Sequence, residues 1–478
     1  MRNKLTLLAA MTGVALWQMA AIQPASADAV SDLQAQVTAL QNKVNDLSTK
    51  GMSSVNKDYP GYWNLPGTDT WMTLAGHVKL DAMYDHKADT GPQMDYSAIP
   101  MEGAPGSDRV NKFHANTKQT YLYLDTHTPT KYGDLRAHIS WDFYLSSQGN
   151  PNISNSYAFR LRNAYGVLGN WTFGQDWSTF QDVAAGPNTI DFNGPAGQTF
   201  IRQPQLRYDR TIGANQYMIS LENSSPDFTS TVPFYNGNQW NVDQDGQLGD
   251  PAGCTVGRAA SCNLGPSQKA TLPDIVARWE NDGDYGHVSF MALARKISMD
   301  TGTAGVVANG GTVASASTWG YGFAFTGALN LNTVNKGFGN DNIVWQLAGG
   351  PGIGRYLQDL LFNGAIYNPA TNTLDKLTSW GGFVGYEHFW DASGDWESNL
   401  VLGAEGTRMK DETILAANGD QMTTHSESLS LNLLWHPVSN VTFGIENSLG
   451  KRKVNFALPG QADHGYADRF QFSGIYNF

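Results

Sequence analysis

Apolar and polar residues alternate one for one over about sixteen segments of this chain, and this pattern constrains the fold more than any other feature. In residues 135–144, for example, Leu135, Ile139 and Phe143 alternate with polar side chains. Side chains point to opposite faces along a strand, so each segment is a strand with one apolar and one polar face. After residue 27 no apolar run reaches the roughly 18 residues that a membrane helix needs. The sequence therefore predicts an all-β fold.

The alternation alone does not say which face points inward, and three further features decide it. Most segments reach the ~9–11 residues that a tilted strand needs to cross a bilayer. Short turns such as 213–215 alternate with long polar connections such as 224–270, as in outer-membrane barrels. The chain ends on an aromatic face that includes Tyr476 and Phe478, which resembles the signal for barrel insertion. A soluble β-sandwich is the alternative.

These features predict a transmembrane antiparallel β-barrel over 71–478. The length fits sixteen strands and is also compatible with eighteen. A barrel of this width is too wide to be filled by its own side chains and leaves an aqueous channel.

The start of the chain predicts export. Arg2 and Lys4 precede an apolar stretch and the small-residue triplet Ala25-Ser26-Ala27, which is typical of a signal peptide over 1–27. With the barrel, this predicts a location in the bacterial outer membrane.

A heptad pattern follows over 28–51 and predicts a short α-helical coiled coil in the periplasm. Its seam consists of Val30, Leu33, Val37, Leu40, Val44 and Leu47. Three heptads are marginal alone, so the helix is expected to pair with copies of itself. A single helix packed on its own barrel is the alternative. Residues 52–70, with Pro60, Gly61, Pro66 and Gly67, read as a linker.

Composition and motifs narrow the function. Only 15% of residues are charged and the formal net charge is −12, which argues against a nucleic-acid partner. The sequence contains no HExxH, GxSxG or phosphate-loop pattern, so we expect no enzyme activity, no metal and no cofactor. Cys254 and Cys262 lie in one long loop of an exported chain, which predicts a disulfide.

If the apolar face is outward, basic residues line the channel wall. Strand alternation assigns to it Lys79, Arg136, Arg160, Arg162, Arg207, Arg278 and Arg295. Guanidinium groups bind carboxylates in a bidentate manner, and a wall of them favours anionic solutes. The alternative is that these cations pair with acidic residues as structural ladders. The Gly/Pro-rich stretch 182–200 is a candidate for a loop that folds inward to narrow the channel.

Particular stretches also indicate a family. FRLRNAYGVLGNWTFGQDWSTFQD (159–182) and GHVKLDAMYD (76–85) resemble the DcaP-like outer-membrane porins. The resemblance implies a homotrimer of sixteen-stranded barrels with a periplasmic coiled coil and a channel for dicarboxylic acids and other small anions. It also implies that Arg202 belongs to the basic lining.

The expected function is therefore a passive outer-membrane porin that favours anions such as dicarboxylates and aromatic carboxylates. Expected partners are outer-membrane lipid and lipopolysaccharide, the barrel-assembly machinery, small anionic solutes and peptidoglycan. A sugar-selective porin is one alternative, since Tyr121, Tyr123 and Tyr144 could stack pyranose rings. The others are a structural tether to the cell wall through the coiled coil, and a hydrolase using His138 and Ser140.

Overall fold

The computed structural model describes residues 59–145, 154–230, 267–300, 315–360, 363–368, 371–409 and 421–478, together with helical positions 37, 38 and 41. The predicted signal peptide, most of the predicted coiled coil and both cysteines lie outside the described residues. No helix in the described ranges is long and apolar enough to cross a membrane.

The chain divides into two units, 1–73 and 74–478. In the first unit the short strand Trp63–Asn64 pairs antiparallel with Trp71 and Met72, and the exposed Val37 is helical.

The second unit is a barrel. In the described parts of the chain, sixteen strands form it. They are β1 (Trp71–Lys87), β2 (Tyr121–Thr130), β3 (Gly133–Leu145), β4 (Ala158–Leu168), β5 (Trp171–Trp177), β6 (Arg202–Ile212), β7 (Asn215–Glu222), β8 (Asp274–Gly283), β9 (Gly286–Asp300), β10 (Ser315–Asn330), β11 (Asn342–Pro351), β12 (Thr378–Phe389), β13 (Trp396–Arg408), β14 (Thr423–Val438), β15 (Val441–Val454) and β16 (His464–Asn477).

Antiparallel pairing runs around the barrel and closes it between β1 and β16, from His77↔Asn477 to Asp85↔Arg469. The prediction of a sixteen-stranded antiparallel barrel is confirmed. The second barrel position is interrupted: the short strand Lys112–Asn116 pairs with the later half of β1, and β2 begins only after residues 117–120.

The outer face of the barrel is apolar and the inner face is polar. On β9, Phe290 is 52% exposed while its neighbour Ser289 is fully buried. On β11, Leu347 is 61% exposed and Gln346 only 2%. This is the reverse of a soluble sandwich and the arrangement of a barrel in lipid.

Aromatic rings form rows on the outer face near the short connections. One row joins Trp279, Phe290, Phe325 and Trp345 across β8–β11, with centroids 5.8, 4.7 and 5.6 Å apart. A second row joins Trp396, Trp435, Phe443 and Phe472 across β13–β16. Aromatic girdles mark the interfaces of outer-membrane barrels, and short turns lie on the periplasmic side, so these rows indicate the periplasmic interface.

Short elements occupy the end with the long connections. A small sheet joins Phe228–Ser230, Ala365–Asn368 and Thr373–Lys376. A two-residue strand, Ser267–Gln268, pairs with the end of β9. Single 3-10 turns cover Tyr96–Ala98 and Gly354–Tyr356 at this end, and two more, Leu331–Thr333 and Lys336–Phe338, lie at the opposite end between β10 and β11.

The barrel seam generates the first prediction. Gly76 exchanges two backbone hydrogen bonds with Phe478 (3.1 and 3.0 Å), and a Cβ at this position would lie 2.0 Å from the carbonyl oxygen of Tyr121. Because that neighbour is backbone, Gly76→Ala must displace the seam, and we expect a loss of about 1–3 kcal/mol. The measurement is the temperature at which the barrel unfolds in detergent, read from the change in gel mobility on heating.

Gly349→Ala is the matched control, because its Cβ would meet the nearest atom at 3.6 Å, an ordinary contact. Equal unfolding temperatures for the two variants would show that the seam tolerates the displacement.

Candidate functional site

The barrel interior contains the segment between β5 and β6, residues 178–201. Its first anchor is Asp182, whose carboxylate lies 3.0 Å from the Arg278 guanidinium on β8 and accepts hydrogen bonds from His287 (2.9 Å) and Thr326 (2.5 Å). All three partners lie on the inner face, on β8, β9 and β10.

The pKa of the Asp182 carboxyl group is lowered. Burial raises the pKa of its carboxyl, but the hydrogen bond from His287, the charge of Arg278 and the hydrogen bond from Thr326 outweigh burial. The pKa therefore lies well below its usual range, and the carboxylate stays ionised at pH values near neutrality.

The later part of the segment is anchored to the opposite strands. The Ile190 amide donates to Glu446 on β15 (2.8 Å), and the Ala196 amide donates to the Ser428 hydroxyl on β14 (2.9 Å). Thr199 donates to Gln346 on β11 (2.9 Å). With anchors on both sides of the barrel, residues 182–200 run through its interior.

The interior is covered unequally. Inward side chains of β9–β16, such as Gln346, Glu446 and Ser473, are buried under inserted segments. On β2 and β3 the inward Tyr123 stays half-buried and Arg136 is exposed. Open space therefore lies beside β2–β6.

Three arginines gather at that side, around one carboxylate. Arg160 donates from Nε and Nη2 to the two oxygens of Asp142 (2.8 and 2.6 Å), and Arg162 donates from Nη1 to Oδ2 (2.9 Å). The charge of Arg202 interacts with both of the other arginines. We call Arg160, Arg162, Arg202 and Asp142 the arginine cluster.

A β-bulge places two of these side chains together. Ser140 pairs with Asn163 and Trp141 with Leu161, so Arg162 has no partner residue in the register. The extra residue bends β4 and re-aims its side chains, as bulges do. Arg160 and Arg162 thereby both reach Asp142.

Arg202 differs from its neighbours because no carboxylate binds it. Arg202 pairs with Trp177 at the ends of β5 and β6. Along the same two strands, Phe173 pairs with Leu206, and both of those side chains face outward. Its guanidinium stacks 3.6 Å from the Trp177 ring and 5.2 Å from that of Phe200. In the described structure, Nε and Nη2 of Arg202 and Nε of Arg162 are buried without a hydrogen-bond partner. Such groups are costly unless something binds them.

Aromatic rings cover the arginine cluster. Phe192 of the inserted segment stacks on Tyr144 (centroids 4.3 Å apart) and lies 5.4 and 5.5 Å from the guanidiniums of Arg160 and Arg162. Tyr121 lies 5.1 Å from Arg162. Rings at these distances stabilise cations through the π-face.

The other predicted lining residues have different surroundings. Lys79 is buried, donates to the Ile190 carbonyl (2.6 Å) and pairs with Asp81 (3.3 Å). Arg295 faces inward but is fully buried between Asp227 (2.5 Å) and Asp274 (3.4 Å).

Arg278 also holds the inserted segment, through Asp182. Arg207 pairs with Asp176 (3.4 Å) and Asp209 (2.9 Å) on the wall. Arg136 is exposed, and its charge interacts with Tyr165. The structure thus brings together Arg160, Arg162 and Arg202 and leaves the other basic residues apart from them.

Sequence reasoning missed the aromatic contribution of the inserted segment and its flanks. Phe192, Phe200 and Trp177 lie outside regular alternation or at its end, so strand parity carries no signal for them. The sequence predicted two inward rings, Tyr121 and Tyr123, but not the full row to which they belong. In this row the rings of Tyr165, His138, Tyr123, Tyr121 and His77 follow one another at centroid distances of 5.2, 5.6, 5.8 and 5.6 Å.

One group of potential metal ligands lies near the end of β1. Ligand atoms of Asp85, Asp89 and His114 lie within 4.8 Å of one another. Arg469 donates to both oxygens of Asp85, and Lys112 pairs with Asp89. These cations already neutralise the carboxylates that a metal ion would need.

A closed sixteen-stranded barrel, apolar outside and polar inside, with a segment folded through its interior, defines a porin-type channel of the outer membrane. Residues 26–229 match the model of a family described as DcaP outer membrane protein. The resemblance to the DcaP-like outer-membrane porins is thus confirmed.

Solved structures resemble this fold. The outer membrane channel DcaP of Acinetobacter baumannii is 21% identical, with a TM-score of 0.64, and the match covers 86% of this chain and 97% of that one. An anion-selective porin from Comamonas acidovorans is 12% identical (TM-score 0.47; coverage 86% and 100%). A Salmonella typhi OmpF complex with daunomycin is also 12% identical (TM-score 0.47; coverage 86% and 98%). A search of curated proteins finds no match.

The anchor of the inserted segment generates the second prediction. Asp182→Ala leaves Arg278 and His287 without their buried carboxylate, and removing one partner of a buried pair costs about 3–5 kcal/mol. We expect a lower unfolding temperature and noisier, larger single-channel currents, measured in detergent and in planar bilayers.

The exposed turn variant Asp284→Ala is the control. Because the pKa of Asp182 is lowered in the folded state, its stabilisation is present above the unfolded pKa of about 3.9 and is lost only as pH falls through the lower folded value. The difference between Asp182→Ala and wild type should therefore persist from pH 5 to pH 8, because Asp182 stays ionised and Arg278 stays charged throughout this range. A difference that vanished within this range would contradict the anchoring role.

Proposed function

We propose that the chain is a passive channel for small hydrophilic solutes that favours anions such as dicarboxylates and aromatic carboxylates. The observation that carries this proposal is the arginine cluster: two guanidiniums bind one carboxylate, and the charge of a third interacts with both of them, beside the uncovered part of the interior. The cluster has an excess of two positive charges, and the side chain of Arg160 remains 32% exposed, so its guanidinium can bind carboxylate oxygens of a solute.

The reach of this field is limited by salt. The Debye length is about 10 Å at 0.1 M, which is comparable to the width of a porin channel. An anion passing the arginine cluster feels the local excess charge, whereas acidic groups elsewhere on the barrel are screened. Anion preference is therefore expected to be strongest in dilute salt.

Residues 182–200 act in this proposal as the constriction. Phe192 and Phe200 narrow the path on the side facing the arginine cluster, so a solute passes between aromatic rings and guanidiniums. This arrangement favours flat anions, since a ring can stack while its carboxylates bind arginine. Diffusion through the channel needs no chemistry and no cofactor.

The rest of the assembly follows the family resemblance. We propose cleavage after residue 27, a homotrimer joined by periplasmic coiled coils at 28–51, a linker at 52–70 and a disulfide between Cys254 and Cys262. Assembly requires the barrel-assembly machinery, which reads the aromatic terminus that includes Tyr476 and Phe478, and the coiled coil is placed to contact peptidoglycan.

The third prediction tests charge selectivity. Replacing both Arg160 and Arg162 by Ala leaves Arg202 and the Asp142 carboxylate, so the cluster loses its excess positive charge. A unit charge at 4 Å is worth about 1 kcal/mol in water, so the anion-over-cation permeability ratio should fall by about fivefold. Reversal potentials in planar bilayers under a gradient of dilute potassium chloride measure this ratio.

Lys336→Ala, in an exposed turn between β10 and β11, is the control and should leave the ratio unchanged. A wild-type channel that passes potassium better than chloride would overturn the anion preference itself.

A sugar-selective porin is the second candidate, favoured by the row of stacked rings from Tyr165 to His77. The fourth prediction separates the two. A benzene dicarboxylate should block the ion current at a lower concentration than an aliphatic dicarboxylate of equal charge, and maltose-type saccharides should not block.

Phe192→Leu should reduce the difference between the two dicarboxylates, because it removes the ring nearest both arginines. Phe338→Leu, on an exposed turn, is its control. Block by saccharides, with none by dicarboxylates, would select the sugar channel.

A further inference from the structure

An apolar groove of about 800 Å³ crosses the outer wall of the barrel from β11 to β16. Its floor includes the small outward-facing residues Gly382 and Ala404, and leucine side chains such as Leu402 and Leu429 flank it. Five steps between neighbouring strands give it a width of about 24 Å. The outer face of a barrel strand normally projects large side chains, so a run of small ones creates a recess.

The groove lies near the end of the wall with the long connections. Lys451 and Tyr466 are paired across β15 and β16, and Lys87 lies at the end of β1 with its Nζ 4.9 Å from the Tyr466 ring. Long connections are extracellular in outer-membrane barrels, so these two lysines stand at the height of the outer leaflet. They flank the same tyrosine.

The two lysines are available for another partner. Lys87 pairs with Glu102 at 2.8 Å and Lys451 with Glu427 at 3.8 Å, and all four side chains are about half exposed. Exposed ion pairs of this kind contribute at most about 1 kcal/mol. Glu427 also accepts a hydrogen bond from His425 (2.7 Å).

Asp468, the other acidic residue of the groove, accepts a hydrogen bond from Asn447 (2.9 Å). Both acidic groups therefore have partners other than lysine.

The same wall faces lipid at its other end. β13–β16 carry the aromatic row from Trp396 to Phe472 near the short turns, which is the girdle of a lipid-facing surface. Lipid therefore covers the groove, and basic residues beside an apolar recess match an amphiphile with a phosphate headgroup.

We propose that this groove binds the phosphorylated glycolipid of the outer leaflet, with acyl chain on the floor at Ala404 and a phosphate between Lys87 and Lys451. The site is independent of the channel function, since its side chains lie on the opposite face of the wall from the lumen.

Native mass spectrometry of the full chain in detergent tests the proposal by titration with purified rough lipopolysaccharide. Wild type should bind it saturably, and more tightly than either dephosphorylated lipopolysaccharide or phosphatidylethanolamine. The double variant Lys87→Ala/Lys451→Ala should weaken binding at least tenfold, and Ala404→Trp should do the same by filling the floor.

The matched controls are Lys296→Ala and Ala292→Trp, both on the outer face of β9 and outside the groove. Wild-type affinity in both test variants, or equal affinity for phosphatidylethanolamine, overturns the proposal. Loss of oligomer mass in Ala404→Trp also overturns it, because the groove is then a contact between copies. Reversal potentials should stay unchanged in every variant, which separates this proposal from the channel function.

Discussion

Lipid offers the backbone no hydrogen-bond partner, and the closed ring of sixteen strands is the response to that constraint. Each strand satisfies its amides through two neighbours, and the pairing of β1 with β16 removes the last free edges. Closure also determines which face is polar. Because the band that contacts lipid must be apolar, the interior is the favoured place for charged strand residues, and Arg469 and Arg295 are fully buried there.

Buried charge in such an interior is costly unless it is paired, and the pairing divides the arginines by role. Arg469 binds Asp85 and Asp191, and Arg295 binds Asp227 and Asp274, so each is enclosed by carboxylates and ties an inserted segment or loop to the wall. The arginine cluster has one carboxylate for three guanidiniums. Aromatic rings, rather than further carboxylates, contact the guanidiniums there. Because the rings carry no net charge, the positive charge of the cluster is not neutralised.

The sequence predicted the barrel well because alternation has a period of exactly two and continues for ten residues or more on most strands. Arg160 and Arg162 were predicted to line the wall by the same argument. The bulge at Arg162 was not predictable, since a single extra residue changes register without changing composition. Whether an inward arginine contacts water or a carboxylate depends on segments that are distant in sequence. Arg295 binds Asp227, which lies 68 residues away, and strand alternation does not predict that contact.

The net charge of −12 is compatible with the proposed preference for anions, because the charges nearest the path decide selectivity. Carboxylates on the lipid-side rim, such as Glu427 and Asp463, are separated from the lumen by the wall and are screened by salt. On the covered side of the interior, Glu446 accepts hydrogen bonds from the backbone amides of Ile190 and Asp191, so its carboxylate anchors the inserted segment. In the proposed channel, the inserted segment covers β9–β16, so a solute passes beside the arginine cluster, where cations outnumber carboxylates.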